Sequence, residues 1–298
     1  MKKRIYIYGL ILSLLIVVGC SPASETIQVS TKETVTPQAH KHQLAGSTLQ
    51  VYYLDVGQGD STLIKTPKGQ HVLIDGGQNG QGENVVSYLK QYGVKELDAV
   101  IATHPDADHI GGLDTVIDAI PVKSVYAPRV SHTTKTYKDF LMAVKNRGLK
   151  IKAAKAGLEL PLDGVAAEFL APVGDYGKDL NAWSAVLKVT YKNTSFIFSG
   201  DAEKKSETDM VNSGANLKAD VYKVGHHGSD TSTSAEFLKA IHPTYAVISV
   251  GKDNKYGHPK DVVLDRLRKS GVKVFRTDEQ GTIISISDGK TIKFETEK

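Results

Sequence analysis

The stretch Thr103-His104-Pro105-Asp106-Ala107-Asp108-His109 constrains this chain more than any other feature. Two imidazoles and two carboxylates are packed between His104 and His109, directly after the apolar run Leu97 to Ala102 and just before Gly111-Gly112. A buried strand ending in a turn delivers such groups to one rim of a sheet, where they can converge. Nitrogen and oxygen ligands this close together suit a divalent metal better than a core, because unpaired polar groups are costly to bury. The rest of the chain is read for the groups that would complete such a site.

The N-terminus has a different character. Lys2, Lys3 and Arg4 precede an apolar run from Ile5 to Val18, which is followed by Gly19 and by Cys20, the only cysteine. A basic segment, an apolar segment and a small residue at its end form a secretory signal over residues 1–19. The run is short for a transmembrane helix. Val17-Val18-Gly19-Cys20 resembles a bacterial lipobox, which implies cleavage before Cys20, acylation of its thiol and a chain lipid-anchored to the outer face of the cell membrane. One cysteine also excludes an internal disulfide. The formal charge of +4 is misleading once the signal is removed. Taking Lys2, Lys3 and Arg4 from 37 basic residues leaves 34 against 33 acidic ones. Net charge therefore gives no warrant for nucleic-acid binding.

Residues 20–47 are rich in Ser, Thr, Pro, Gln and Lys and poor in large apolar groups, so they read as a flexible tether. Such a coil spans roughly 30 Å. From residue 48 to 298 the pattern becomes that of one globular domain. Leu49–Leu54, Ser61–Ile64 and His71–Ile74 read as strands, the last ending at Asp75-Gly76-Gly77. Glu83–Tyr92 has a helical apolar face and stops at Gly93, and Leu97–Ala102 is the strand that feeds the central motif. Helices are expected at Leu113–Ile120 and Tyr137–Arg147, and strands at Val122–Tyr126, Lys150–Ala153, Leu158–Leu160 and Ala166–Leu170.

The second half repeats the theme. Ser184–Tyr191 and Thr194–Phe198 form a hairpin across Lys192-Asn193, and a helix follows Gly200-Asp201. Strand Ala219–Val224 runs into Gly225-His226-His227-Gly228-Ser229. Helices Ser234–Ile241 and Lys260–Lys269 and strands Tyr245–Val250, Val272–Phe275, Thr282–Ile286 and Ile292–Phe294 follow. Strand-rich halves with interspersed helices imply two sheets packed together with helices outside.

His104-x-Asp106-x-Asp108-His109 resembles the signature of the metallo-β-lactamase superfamily, with Asp106 where the usual second position is His. Asp55-Val-Gly-Gln-Gly-Asp60, Ser199-Gly200-Asp201, His226-His227-Gly228-Ser229 and Tyr256-Gly257-His258-Pro259 narrow the resemblance. They look like the hydrolase domain found at the C-terminus of the competence protein ComEC and its stand-alone relatives. The resemblance covers nearly everything from residue 49 onward. It implies an α/β fold, an αββα sandwich of two mixed β-sheets flanked by helices, with two divalent ions at the sheet edges. His104 and Asp106 would serve the first ion and Asp108, His109 and His226 the second, with Asp201 bridging. Asn181 stands near the place where many relatives have a further histidine ligand. Asp75 resembles the aspartate that supports a ligand from behind.

The residue chemistry adds a preference. Asp106 and Asn181 exchange soft nitrogen for hard oxygen, which moves the expected ion from Zn²⁺ toward Mn²⁺ or Mg²⁺, with Zn²⁺ still possible. Three carboxylates against two divalent ions leave residual positive charge, which favours a bridging hydroxide and an anionic substrate. The expected reaction is phosphodiester hydrolysis, with DNA as the substrate. His227 reads either as a leaving-group acid or as a donor behind the ligands. His258 is a candidate to donate a proton or contact substrate, and Asp60 to line the rim. Ser229 and Ser232 are candidates to bind phosphate oxygens, or else to cap the helix near Ser234. Competing readings are hydrolysis of a lactone, a cyclic nucleotide or a lipid phosphodiester, and a non-catalytic module that binds surface nucleic acid or a partner. β-Lactam hydrolysis fits poorly with Asp106 in the second position.

Overall fold

The computed structural model describes residues 47–298. The signal segment, Cys20 and nearly all of the tether lie outside the described residues.

Two sheets are built in chain order, with one return. The first half supplies β1 (Leu49–Tyr53), β2 (Thr62–Lys65), β3 (His71–Ile74), α1 (Gly82–Gln91), β4 (Ala99–Ile101), α2 (Ala107–Ile110), α3 (Leu113–Ala119), β5 (Val125–Ala127), α4 (Lys135–Asn146) and β6 (Ile151–Ala153). The second supplies β7 (Ala166–Ala171), β8 (Val186–Tyr191), β9 (Thr194–Phe198), α5 (Lys204–Asn212), β10 (Val221–Lys223), α6 (Ala235–Ile241), β11 (Tyr245–Ile248), α7 (Asp261–Lys269), β12 (Lys273–Arg276) and α8 (Thr277–Gln280). The last strands, β13 (Ile283–Ser287) and β14 (Ile292–Thr296), cross back to the first sheet, whose order is β14-β13-β1-β2-β3-β4-β5-β6. The second sheet runs β12-β11-β10-β9-β8-β7. Both sheets are mixed: strands β3 to β6 and β9 to β12 pair in parallel, and the remaining pairs are antiparallel.

Side-chain alternation explains the layering. On β1, Leu49, Val51 and Tyr53 enter the core between the sheets, while Tyr52, and Leu54 just after the strand, face the layer formed with α1, α3 and α4. On β9, Phe196 and Phe198 point to the central core and Ile197 to the layer under α5, α6 and α7. Strands buried on both faces read as continuous apolar runs, and those runs are what make the strands legible. The expected four-layer αββα sandwich of two mixed sheets is what the structure shows.

Two expectations need correction. Thr282–Ile286 and Ile292–Phe294 are strands of the first sheet, because β1 would otherwise be an open edge and β13 closes it, from Leu49 opposite Ser287 to Tyr53 opposite Ile283. Leu158–Leu160 is not a strand; the segment makes only one isolated bridge, Glu159 to Glu168.

Phe196 is fully buried between the sheets. Phe196→Ala is expected to cost about 3–5 kcal/mol of unfolding free energy, read from urea denaturation midpoints.

Candidate metal centre

Parallel strands deliver their C-terminal ends to one rim, the usual place for a site in such sheets. β3 leads into Asp75, β4 into Thr103 and the central motif, β9 into Asp201, and β10 into His226 and His227. Asp201 is the hub. The Nε2 atoms of His109, His226, His227 and His104 lie 3.1, 3.7, 3.7 and 3.9 Å from its carboxylate oxygens. Asp106 approaches His104 Nε2 at 3.6 Å, and Asp108 approaches His227 Nε2 at 3.3 Å.

The opposite nitrogen of each ring shows which way the lone pairs point. His109 Nδ1 is 2.8 Å from Asp75 Oδ2, His226 Nδ1 is 3.0 Å from Glu203 Oε1, and His227 Nδ1 is 2.9 Å from the Ser249 carbonyl. These partners only accept, so each Nδ1 carries the proton. His104 Nδ1 meets the Thr103 hydroxyl at 3.1 Å, and that hydroxyl donates to Asp75 Oδ2, leaving its oxygen to accept from the ring. In the neutral rings all four Nε2 lone pairs would therefore converge. Acceptors behind histidine ligands are the arrangement that fixes the tautomer and raises basicity at metal sites.

Polar satisfaction gives the same answer. Nε2 of His104, His109 and His227, Oδ1 of Asp201 and Oδ1 of Asp60 are buried without a hydrogen-bond partner. Such groups are rare unless something else engages them. Among the described residues, possible ligand groups include His104 with His109 and Asp201, and Asp108 with His109 and His227. These groups have the chemistry to hold divalent metal.

Electrostatics show a pocket that demands positive charge. Burial would raise the Asp201 pKa, but His109, His227 and His104 hold it well below the ordinary value. Burial opposes charging of His227, yet Asp201 and Asp60 carry its pKa up to about 10. His109 is raised in the same way by Asp201 and Asp75 against its own burial.

The structure places the residues singled out in the sequence as follows. His104, Asp106, Asp108, His109, Asp201 and both histidines of the Gly225–Gly228 turn come together. Of those two, it is His227 that groups with Asp108 and His109, the company assigned to His226 by resemblance. In an extended strand neighbouring side chains would diverge. Here His226 and His227 have φ of 47° and 52°, and both rings swing toward Asp201. Asp75 lies behind His109, with Oδ2 facing Nδ1. Asn181 is set against Glu203, its amide donating to Oε1 at 3.3 Å. Asp60 does not line a rim: it is 3% exposed and sits behind His227. Ser232 is also turned inward, donating to the Gly225 carbonyl at 2.7 Å, and Ser234 caps α6. Ser229 is buried and pairs with Thr231. His258 stands with its ring 5.6 Å from that of His226. Burial and the neighbouring His226 and His227 push its pKa down to about 4, which favours a neutral hydrogen-bonding group over a proton donor.

Sequence reading passed over three contributors. Glu203 orients His226, Thr103 links Asp75 to His104, and Lys223 pairs with Asp60. The Asp201-x-Glu203 spacing and a lysine inside the apolar run Val221–Val224 were the available signals.

Backbone approach is just as demanding. A Cβ on Gly59, whose φ is +136°, would lie 2.3 Å from the Asp108 carbonyl oxygen, the same atom that accepts from Asp60 N–H. Gly59→Ala is expected to displace the Asp108 loop and weaken metal binding by about tenfold or more, measured by chelator competition.

Residues 54–252 match the metallo-beta-lactamase superfamily. The chain belongs to the metallo-β-lactamase superfamily. ComE operon protein 3 of Bacillus subtilis is 36% identical over 78% of this chain and 32% of its own length. Competence protein ComA of Neisseria gonorrhoeae is 36% identical over 77% of this chain and 31% of its own. These relatives bear out the resemblance to the ComEC-type domain, and the chain spans about a third of their length. Among solved structures, YhfI of Bacillus subtilis superposes with a TM-score of 0.52 at 14% identity, covering 81% of this chain and 100% of that one. Igni18 of Ignicoccus hospitalis, described as a metallo hydrolase, gives 0.52 at 16% identity, with 80% and 98% covered. At these identities the likeness shows the shared fold. Among the described residues, no helix is long and apolar enough to cross a membrane.

Proposed function

We propose that this chain is a metal-dependent phosphodiesterase acting on DNA. The observation that supports it is the convergence of four imidazole Nε2 atoms and the Asp106 and Asp108 carboxylates around Asp201. His104, Asp106 and Asp201 would hold one divalent ion, and Asp108, His109, His227 and Asp201 the other, with His226 beside Asp201. Such ions, when bound, activate water and neutralise charge on the attacking and leaving oxygens. The protein's own part is positioning. Asp75 and Glu203 aim His109 and His226, and the Ser249 carbonyl aims His227. His258, its ring 5.6 Å from that of His226, would serve as a hydrogen-bonding group for substrate.

Asp106 in the place of the usual histidine shifts the preference toward a harder ion, Mn²⁺ before Zn²⁺, although the four imidazoles also suit Zn²⁺. The name of the Neisseria gonorrhoeae relative, a competence protein, favours DNA. Turnover of DNA, a bis-aryl phosphate and a lactone, each with Mn²⁺ and with Zn²⁺, tests the proposal. Cleavage of the two phosphodiesters with Mn²⁺ is expected. A metal-loaded chain that hydrolyses only the lactone would overturn it.

We further propose export and anchoring through an acylated Cys20. Cys20→Ala should move the protein from the membrane fraction to the medium, and unchanged membrane retention would refute the anchor.

A further inference from the structure

Lys223 is the last residue of β10, and strand alternation puts it on the same inward face as Val221. Its side chain is 3% exposed and that of its partner Asp60 is 5% exposed, the two in direct contact. A lysine and an aspartate so deeply buried require a reason, since a buried ion pair contributes little to stability compared with apolar packing of the same volume.

The surroundings supply one. Asp60 belongs to two of the possible ligand groups, with Asp75 and His109, and with Asp201 and His227. Its Oδ1 is 3.3 Å from His227 Nδ1, and its Oδ2 is 3.9 Å from His109 Nδ1. Its backbone N–H donates to the Asp108 carbonyl at 3.0 Å, and its carbonyl accepts from Gly77 N–H at 2.8 Å. Two residues earlier, Gln58 Oε1 accepts from Gly251 N–H, in the loop that follows β11 of the second sheet. The Gln58–Asp60 segment thus ties the Asp108 loop of the first sheet to the histidine turn of the second. Lys223 also donates to the Val224 carbonyl at 3.1 Å, directly before that turn.

We propose that Lys223 is a built-in cation of the metal centre. Its ammonium occupies the charge position beside Asp60 that an ion would otherwise compete for. Asp60 is thereby withheld from the ligand set and kept as the charged positioning residue behind His227. This inference rests on the two-ion reading of the site but not on any substrate.

The test compares the parent with Lys223→Met and with the neutral pair Lys223→Met/Asp60→Asn. Readouts are Mn²⁺ and Zn²⁺ affinity and stoichiometry, the visible spectrum of the Co²⁺-loaded protein and melting of the metal-free protein. In Lys223→Met the freed Asp60 carboxylate should enter the ligand set, so metal affinity should depart from the parent's by about tenfold or more, or the stoichiometry should change, with an altered Co²⁺ spectrum. The double variant, which strands no buried charge, covers the case in which Lys223→Met does not fold. It should melt near the parent yet bind the more weakly held ion less tightly, because His227 loses the charged carboxylate behind it. Parental affinity, stoichiometry and spectrum in either folded variant would overturn the proposal and leave the pair a structural contact. Because no readout uses a substrate, failure here is distinguishable from failure of the phosphodiesterase proposal.

Discussion

Asp201→Asn is expected to abolish metal-dependent hydrolysis while leaving a folded protein. Every Nε2 in the site faces this carboxylate, and an asparagine amide would present a donor to at least one of them. Loss of a group that merely supports a ligand lowers metal affinity or activity about 10–100-fold. Loss of the hub itself should exceed the upper end of that range. The fold should survive because the local backbone does not depend on the carboxylate: Asp201 N–H donates to Ser184 Oγ at 3.1 Å, and Ala202 N–H to the Ser199 carbonyl at 3.0 Å. A second signature follows from linkage. An ion present at a hundred times its dissociation constant stabilises the native state by about 2.7 kcal/mol, so added Mn²⁺ or Zn²⁺ should raise the melting temperature of the parent and not that of the variant. Calorimetry with and without metal reads both effects.

Asp75→Ala is expected to carry the largest combined penalty. Asp75 is fully buried and accepts from Thr103 N–H at 2.8 Å, from the Thr103 hydroxyl at 2.7 Å and from His109 Nδ1 at 2.8 Å. Each buried donor left without an acceptor costs about 1–3 kcal/mol. Three of them together make a loss of about 3 kcal/mol or more, a large share of the stability of an ordinary domain. The same deletion frees the His109 ring to rotate, so metal affinity should fall as well. Denaturation midpoints and metal titrations measured on the same preparation separate the two effects. Asp75→Asn, which retains an acceptor for one of the three donors, should lie between the parent and the alanine variant in both.

The apolar runs and the motif endpoints of this fold were legible because each buried strand is a continuous hydrophobic segment ending in a chemically marked turn. Leu97–Ala102 followed by His104 shows both at once. The return of β13 and β14 to the first sheet was not legible, since their alternation fits either sheet and only pairing with β1 decides between them. Local conformation hid the roles of the paired histidines. Nothing in His226-His227 announces that both residues adopt positive φ and turn the same way. Asp60 and Lys223 are far apart in sequence and meet only because a loop of the first sheet reaches the end of β10. Asn181 was assigned by its position in a resemblance, whereas its contact with Glu203 depends on the turn at Asn181–Trp183.

The most direct measurement of the central claim is the metal content of the folded chain after equilibration with Mn²⁺ or Zn²⁺ and removal of free ions, taken beside Asp201→Asn. Close to two ions in the parent and a clear loss in the variant is the expected result. A folded parent that retains no metal, or a variant that retains as much as the parent, would contradict a metal centre built around Asp201.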